Sequence, residues 1–341
     1  MEKIRIGVLC PSEIAFRRFM PALKKLEKFS YIGLAAATER EFSGADNDEV
    51  KPSELEKAEK FAAAYGGKIF KGYESLITSD EIDAVYLPLP PALHYKWGKK
   101  VLQAGKHLLM EKPFTTSQAE TEELLALAAE KSLAVHENYM FLYHSQLQKV
   151  KELIADGTLG ELRLLRMAFG FPKRGADDFR YKKALGGGAL LDCGGYPVRL
   201  ALELLGESTK VVQAQLSQPK GYEVDLFGSA VLKNDAGLCA QVSFGMDNAY
   251  QCQLEIWGSK STLIAPRIFT AGVDVLPKLV IRSSNSEEIV ELPQDDQFYH
   301  SIELFSQEIE NTKKQMVMRN GIYRQATAIE EIREKENEVC E

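Results

Sequence analysis

The first part of the chain alternates short apolar runs with stretches of helical periodicity. The apolar runs predict strands at 4–9, 31–38, 68–70, 84–87, 107–110 and 133–137. The periodic stretches predict helices at 14–28, 57–65, 72–78, 95–104 and 116–131. Regular alternation of strand and helix is typical of a doubly wound, parallel α/β sheet. A polar, breaker-rich stretch at 41–54 interrupts this pattern after the second strand.

The pattern changes after about residue 138, where strands begin to follow one another directly. Helices are predicted at 144–156 and 195–205, and two more, at 301–312 and 321–336, end the chain. Strands are predicted at 160–171, 211–218, 227–233, 238–246, 250–258, 263–266, 279–283 and 288–292. Successive strands joined by turns indicate an open, mainly antiparallel sheet in an α+β domain. We therefore expect two domains, 1–137 and 138–341.

Composition limits the possible partners. The chain has 341 residues and a formal net charge of −7, which argues against a nucleic-acid surface or an anionic membrane as its main partner. No apolar segment approaches the length of a membrane span, and the N-terminal segment lacks a signal-peptide core, so we expect a cytoplasmic protein. The five cysteines are scattered without ligand spacing, and neither a disulfide framework nor a metal site is suggested.

The turn after the first strand is where a dinucleotide site would need glycine. Cys10 and Ser12 stand at the first two glycine positions of that fingerprint, and Ala15 stands at the third, where a small residue is allowed. An ordinary strand-to-helix loop explains the turn equally well. Glu39, at the end of the second strand, favours a dinucleotide because an acid there can bind the ribose hydroxyls. Arg40 beside it could stack on adenine or meet a 2′-phosphate, which leaves NAD and NADP both open.

A proline-rich crossing, 87–94, follows the strand at 84–87 and ends on His94. Ligands of doubly wound sheets lie at this carboxyl edge of the strands, so the crossing is a candidate binding loop. The alternative is a stiff loop with an exposed histidine. His136 and His144 are expected to be packing or surface residues, since no partner carboxylates recur at metal spacing.

Two further segments contain candidate catalytic groups. The apolar run at 107–110 ends on Glu111, Lys112 and a proline, which places a lysine at the mouth of a buried strand, where it is seldom found for packing. Farther along, three glycines precede Asp192 and Tyr196, whose spacing of four residues puts the carboxylate and the phenol on one helical face. We interpret Lys112 as a catalytic acid.

Together these motifs resemble the glucose-fructose oxidoreductase and inositol dehydrogenase (Gfo/Idh/MocA) family. The resemblance rests on the segments 105–113, 88–94 and 186–196, whose order along the chain is that of the family. The segments 15–22, 137–146 and 179–181 are in addition similar to sugar-nucleotide 3-ketoreductases.

The resemblance implies a Rossmann-type domain that binds NAD or NADP and a second domain that binds a sugar or keto-sugar. The implied cofactor-binding residues are Cys10, Pro11, Ser12, Ile14, Glu39, Arg40, Leu87, Pro88, Leu89, His94, Glu111, Lys112 and Asn138. The implied substrate residues are Lys112, Arg180, Asp192 and Tyr196. Lys112 or Tyr196 would act as proton donor, with Asp192 orienting Lys112 or a substrate hydroxyl.

Alternatives remain at this stage. The enzyme could be an aldose or dihydrodiol dehydrogenase of the same family, or the fold could serve as a non-catalytic binding protein with a degenerate loop. Side chains at Cys10 and Ser12 predict weaker or altered dinucleotide binding, and the stretch 41–54 could shield or block the adenine. We also expect a homo-oligomer, a dimer or tetramer, formed through the second domain's sheet, with Leu254, Ile256 and Trp257 toward the partner.

Overall fold

The computed structural model describes residues 2–339, of which 337–339 are described by their backbone alone. Contacts divide the chain into two compact units. The first is Met1–Asn138 with Phe298–Tyr323, and the second is Tyr139–Gln297 with Arg324–Glu341. The sequence boundaries assigned everything after 137 to one domain, so residues 298–323 fall in a different unit from the expected one.

The first unit is built on a six-stranded sheet of order β3-β2-β1-β4-β5-β6. Its strands are β1 Ile4–Val8, β2 Phe29–Ala36, β3 Lys68–Lys71, β4 Ala84–Leu87, β5 His107–Met110 and β6 Val135–Glu137. Every neighbouring pair is parallel. The predicted doubly wound sheet is therefore confirmed, and its strand order reverses between β1 and β4, where such sheets bind ligands.

Helices cover this sheet. They are α1 Met20–Leu23, α2 Glu39–Ser43, α3 Pro52–Tyr65, α4 Tyr73–Ile77, α5 His94–Gln103 and α6 Gln118–Glu130. Helix α3 begins five residues before its predicted start because Pro52 occupies the first turn, where its fixed φ suits a helix. The breaker-rich stretch 41–54 therefore contains the end of α2, a loop and the start of α3. A β-bridge pairs Val50 of this loop with Thr38.

The helical segment after β1 departs from its predicted extent of 14–28. A π turn at Ala15–Phe19 leads directly into the short helix α1. Pro21 explains the wider turn, because a proline ring inside a regular α-helix would collide with the carbonyl four residues earlier, here that of Arg17. The helix ends at Leu23, so the segment contributes one short helical rod behind the turn after β1.

The second unit contains an eight-stranded sheet of order β14-β13-β12-β11-β7-β10-β9-β8. Its strands are β7 Leu162–Gly170, β8 Lys210–Ser217, β9 Phe227–Lys233, β10 Cys239–Gly245, β11 Gln251–Gly258, β12 Thr262–Ala265, β13 Lys278–Arg282 and β14 Glu287–Glu291. Only β7 and β10 pair in parallel among the pairs in this sheet. The predicted mainly antiparallel sheet is confirmed.

The remaining helices are α7 Ser145–Ala155, α8 Gly195–Leu205, α9 Gln297–Glu310 and α10 Thr312–Val339. A π turn at Leu190–Gly194 precedes α8. Pro197 stands three residues after this turn, and Pro21 stands two residues after the other π turn. The Phe305 ring of α9 stacks near the Phe29 ring of β2, with centroids 6.4 Å apart. This packing explains why most of α9 belongs to the first unit.

In the described part of the chain, every helix is too short or too polar to cross a membrane. Cys10, Cys193, Cys239 and Cys252 form no disulfide within that part. Cys340, the fifth cysteine, lies outside the described residues.

Candidate active site

The loops that follow β1, β4, β5 and β6 lie along one edge of the first unit's sheet. Backbone hydrogen bonds continue the strand ladders into these loops: Leu9 N–H donates to Tyr86 at 2.9 Å and Glu111 N–H to Leu87 at 3.1 Å. Asn138 N–H likewise donates to Met110 at 2.9 Å. The cofactor residues predicted from these loops are therefore neighbours, at the edge where parallel sheets bind ligands.

The side chains that replace the fingerprint glycines are both turned to local partners. The Ser12 hydroxyl accepts the Ala15 N–H at 3.2 Å, and the Cys10 sulfur lies 3.8 Å from the Pro88 carbonyl oxygen. Burial raises the pKa of the Cys10 thiol to about 12, so the thiol is neutral. The side chains of Cys10 and Ser12 therefore add no negative charge to the turn, and the exposed Glu13 is its one acid, so neither substitution opposes a dinucleotide pyrophosphate at the helix N-terminus. Pro11 is buried and Ile14 half-buried beside it.

The end of β2 is closed by a short acidic loop. Glu39 N–H donates to the Glu49 carbonyl at 2.9 Å, which holds the loop across the strand end. The Arg40 guanidinium binds Asp46 at 2.7 Å and Asp48 at 2.9 Å. Glu39 begins α2 and is half-buried, so the predicted ribose-binding acid lies just beyond the strand rather than on it.

His94 is fully buried, not exposed as the alternative interpretation of the proline-rich crossing expected. Its ring nitrogens lie 2.7 Å from the carbonyl oxygens of Leu89 and Pro113. Burial lowers the pKa of His94 to about 4. The ring thus ties the loop after β4 to the loop after β5, and its role in a cofactor site is to fix these two loops. Leu87 is also fully buried, while Pro88 and Leu89 are buried in the same crossing.

Lys112 stands at the carboxyl end of β5, half-buried, and its peptide bond to Pro113 is cis. The carboxylate of Glu111 accepts hydrogen bonds from the Tyr86 hydroxyl at 2.6 Å and from the Asn138 amide at 2.7 Å. Burial raises the pKa of Glu111, although these two donors and the charge of Lys112 oppose that change. Asn138, one of the expected cofactor-binding residues, is 1% exposed, and its amide is bonded to Glu111 within the unit.

Two of the three glycines at 186–188 are explained by close approaches of neighbouring groups. Gly187 lies against the Arg180 carbonyl, which a β-carbon at Gly187 would approach to 2.3 Å, and Gly188 N–H donates to the same oxygen at 2.9 Å. Asp225 fixes the other side, since its carboxylate accepts the Leu190 N–H at 2.7 Å. The segments 179–181 and 186–190 therefore form one cluster that supports the π turn containing Asp192.

Asp192 is paired within this cluster. Its carboxylate binds Arg180 Nε at 2.7 Å, and Asp178 binds the same guanidinium at 3.1 Å. The sequence assigned Asp192 to orient Lys112 or a substrate hydroxyl and Arg180 to meet substrate. Both assignments stay predictions, and the structure adds the ion pair between the two side chains. Spatial proximity across twelve residues of irregular loop has no signature in the sequence pattern.

Tyr196 is placed on the first turn of α8 and is 6% exposed. Its ring packs among four aromatic rings, with centroid distances of 4.9 Å to Phe169, 5.3 Å to Tyr139, 5.8 Å to Phe141 and 6.0 Å to Phe269. Aromatic packing of this kind fixes the ring and therefore the direction of its hydroxyl.

Two supporting residues were missed by the sequence analysis. Tyr86 presents a hydroxyl to Glu111 from an otherwise apolar strand, and that single polar group was the available signal. Asp225 had no such signal, because its bond to Leu190 joins segments 35 residues apart.

The cluster gives a stability prediction. Replacing Gly188 with alanine is expected to lower the free energy of unfolding by roughly 2–3 kcal/mol, because Gly188 has a φ of +119° and an added β-carbon would lie 2.4 Å from the Asp225 carboxylate. Urea unfolding measures the change. Gly175→Ala is the control, since a β-carbon there meets nothing within 4 Å; equal loss in both variants would contradict the proposed contact.

Family models match most of the chain. Residues 33–139 match the model described as "Oxidoreductase family, NAD-binding Rossmann fold". Residues 147–264 match the model described as "GFO/IDH/MocA C-terminal domain". The first match covers the end of β2 and β3 to β6, and the second covers β7 to β11 and most of β12.

Characterised relatives cover nearly the whole chain. A dTDP-3,4-didehydro-2,6-dideoxy-alpha-D-glucose 3-reductase of Actinomadura kijaniata is 36% identical over 97% of this chain and 95% of its own length. The enzyme of the same name from Streptomyces violaceoruber is 38% identical over 90% of this chain and 85% of its own. A crystal structure of a 3-ketoreductase from Actinomadura kijaniata, in complex with NADP and TDP-benzene, superposes with a TM-score of 0.90 at 35% identity, covering 98% of both chains.

Proposed function

The chain belongs to the Gfo/Idh/MocA family of NAD(P)-dependent oxidoreductases, and we propose that it reduces the 3-keto group of a nucleotide-linked deoxy-keto-sugar. The observation that supports this substrate is the full-length likeness to dTDP-sugar 3-reductases, at 36% identity over 330 residues. That likeness extends through both units, so it includes the segments from which Lys112 and Tyr196 come.

The chemistry assigns distinct tasks to the chain's own residues. A bound reduced nicotinamide supplies the hydride, and the ketone oxygen then needs a proton or a donor that holds its developing charge. Lys112 is the proposed donor, because it stands at the carboxyl edge of the sheet beside the ionisable Glu111. Tyr196 is the proposed second donor, with its ring fixed by aromatic packing.

The cofactor site is assigned to the first unit. The turn after β1, with Cys10, Pro11 and Ser12, would hold the pyrophosphate, and Glu39 would bind the adenosine ribose. In the second unit, the ion pair of Arg180 with Asp192 would present one face of a polar cluster to the sugar. The meeting of Lys112 with Tyr196 around one substrate is part of the proposal.

The test follows nicotinamide absorbance with a panel of acceptors. The purified protein should oxidise NADH or NADPH with a dTDP-linked 3-keto-deoxysugar generated in the assay. Free aldoses, dihydrodiols and dTDP alone should give no change. Turnover of free sugars at equal kcat/KM would replace this proposal with an aldose dehydrogenase.

The acidic loop after β2 predicts a bias in cofactor choice. Asp46 and Asp48 form ion pairs with the Arg40 guanidinium. They therefore neutralise the cation that would otherwise bind the 2′-phosphate of NADPH. Replacing both acids with asparagine is expected to tighten NADPH binding about tenfold relative to NADH, since the exposed pairs are weak individually but two negative charges are removed. Fluorescence titration with both cofactors measures the ratio.

The control for this experiment is Asp156→Asn, an exposed acid of the second unit bonded to Thr158. It changes net charge without touching Arg40. An unchanged NADPH to NADH ratio in the double variant would show that Arg40 does not face the 2′ position.

Assembly is proposed through the exposed face of the second unit's sheet. Leu254 and Ile256 were expected to face a partner, but both are fully buried beneath the sheet's covered side, which corrects that assignment. Trp257 alternates with them on β11 and is 41% exposed, with Ile289 on β14 at 55%. The Arg166 guanidinium lies 5.6 Å from the Trp257 ring on the same face. A flat face with an aromatic and an arginine is typical of subunit interfaces.

Light scattering tests this assembly at micromolar concentration. We expect a dimer or tetramer for the native chain and a smaller species for Trp257→Glu. A monomer for the native chain would end the proposal. A cytoplasmic location stays a prediction from the sequence.

A further inference from the structure

A chain of hydrogen bonds runs inward from Glu111 through the first unit. The Asn138 amide nitrogen donates to Glu111 at 2.7 Å, and the Asn138 amide oxygen accepts the Ser301 hydroxyl at 2.8 Å. The Ser301 oxygen lies 2.9 Å from His136 Nε2, and His136 Nδ1 lies 2.9 Å from Glu308. Strand β6 and helix α9 thus connect the residue before Lys112 to a histidine and carboxylate pair.

Four members of this chain are removed from solvent. His136 and Ser301 are 0% exposed, and Asn138 and Glu308 are 1% exposed. Buried polar groups must be satisfied by one another, because a lost partner leaves an uncompensated desolvation cost. The direction of each hydrogen bond is therefore fixed by the direction of its neighbours.

Counting protons along the chain gives its first consistent arrangement. Ser301 has one hydroxyl proton and donates it to Asn138, so its oxygen must accept from His136 Nε2–H. One proton lies between His136 Nδ1 and Glu308, which pair at 2.9 Å whether Nδ1–H donates to a carboxylate or a carboxylic acid donates to Nδ1. At the other end, the Asn138 amide nitrogen donates to an ionised Glu111.

Reversing the Asn138 amide gives the other orientation in which every member keeps a partner. If Glu111 is protonated and donates to the Asn138 oxygen, the amide is reversed and its nitrogen donates to Ser301. Ser301 then donates to His136 Nε2. The two amide orientations therefore differ at His136 Nε2, which has a proton in the first and none in the second.

We propose that Ser301 and His136 are positioning residues for the reaction, which keep Glu111 ionised beside Lys112 by fixing the orientation of Asn138. This inference rests on the proposed function for its kinetic consequence. Burial alone raises the pKa of Glu111, and the backbone N–H of Lys112 also donates to its ionised form. An ionised Glu111 holds the main chain of Lys112 and attracts its ammonium group.

Charged and titratable groups face both ends of the chain. Tyr86 from β4 and Lys112 from the loop after β5 face Glu111, and Glu308 from α9 faces His136. Glu137, next to His136 on β6, accepts the Phe114 N–H at 2.8 Å through one oxygen. The coupling between Glu111 and His136 therefore passes through Asn138 and Ser301.

The decisive variant is Ser301→Ala. We expect kcat to fall roughly tenfold with the dinucleotide Kd unchanged, because the hydroxyl supports the geometry of Glu111 rather than a ligand. We also expect the acid limb of the kcat profile to move to higher pH, since Asn138 donates to ionised Glu111 less favourably without Ser301. Ser301→Thr, which keeps a hydroxyl, should restore much of the activity.

Ser306→Ala is the matched control. Ser306 is also 0% exposed on α9, but its hydroxyl donates to the Glu303 carbonyl at 2.6 Å and takes no part in the chain. It should keep the native kcat and pH profile. Equal kinetic changes in the two alanine variants, or a Ser301→Ala enzyme with the native profile, would overturn the proposal.

A second measurement uses the native protein and needs neither substrate nor a variant. Imidazole ¹⁵N spectra of the native protein should show His136, one of the five histidines of the chain, with a proton on Nε2. A ring with bare Nε2 would overturn the proposal. If the native protein reduced no keto-sugar, the proposed function would fail while this spectrum still decided the proton arrangement.

Discussion

Replacing Lys112 with alanine is expected to lower kcat roughly a thousandfold while the dinucleotide Kd changes by less than about threefold. The ammonium group is the proposed donor to the ketone oxygen, so its removal acts on the reaction's charge development rather than on cofactor binding. Single-turnover kinetics with premixed enzyme and NADH or NADPH measure the chemical step. Protein fluorescence measures the cofactor Kd on the same samples.

Lys106→Ala provides the control, because Lys106 precedes β5 whereas Lys112 follows it. Its ammonium binds the Ser79 carbonyl at 2.9 Å and the Ile82 carbonyl at 2.7 Å, away from the loops after β4 and β5. It should retain kcat even if it loses some stability. A Lys112→Ala protein that turns over normally but fails to bind the dinucleotide would refute the catalytic assignment.

Replacing Tyr196 with phenylalanine is expected to lower kcat by roughly a hundredfold. Phenylalanine keeps the ring packing against Phe169 and Tyr139. Only the hydroxyl is lost, so the free energy of unfolding should change by about 1 kcal/mol or less. Steady-state kinetics and urea unfolding, measured on one preparation, separate the loss of the hydroxyl from a loss of fold.

The double variant Lys112→Ala, Tyr196→Phe tests whether the two groups act together. Groups that serve one oxygen are strongly non-additive, so the double variant should be little slower than Lys112→Ala alone. Tyr250→Phe removes a phenol bonded to Thr270 at 2.7 Å in the same unit and should retain native kcat. Fully additive losses would place the two groups at independent sites.

The sequence predicted the strands and helices well because local pattern determines them. The run at 107–110 and the helix at 195–205 agree with β5 and α8 at both ends. Strands buried on both faces read as continuous apolar runs, and amphipathic helices have a clear period, so no tertiary knowledge is required. The two π turns were not predicted, although a proline stands two or three residues after each of them.

Features that depend on the return of the chain were not predictable. Helix α9 shows an ordinary amphipathic pattern, and nothing in that pattern says which unit it covers. The contact of Ser301 with His136 spans 165 residues. For the same reason Leu254 and Ile256 were expected on the exposed face of β11, whereas they lie on its buried face. Alternation identifies the two faces of a strand but not which of them is covered.

The candidate site was only partly accessible from sequence. Motif order identified Lys112 and Tyr196 as candidates, and the catalytic assignment of both stays a prediction. The partner of Asp192 was not accessible, because the bond to Arg180 depends on the path of an irregular loop. Asn138 was recognised as a site residue, but only the structure shows that its amide is used inward.

The eight-stranded sheet ends in two strands that no other strand covers. The exposed edge of an outer strand can pair with a strand of another copy and so lead to aggregation. The two edge strands of this sheet are protected in different ways. The outer strand β14 has Glu287, Glu288 and Glu291 in five residues, which repel an approaching copy. At the opposite border, the Val211 N–H of β8 is occupied by the Glu331 carboxylate at 3.0 Å. Growth by strand addition is thereby discouraged at both borders.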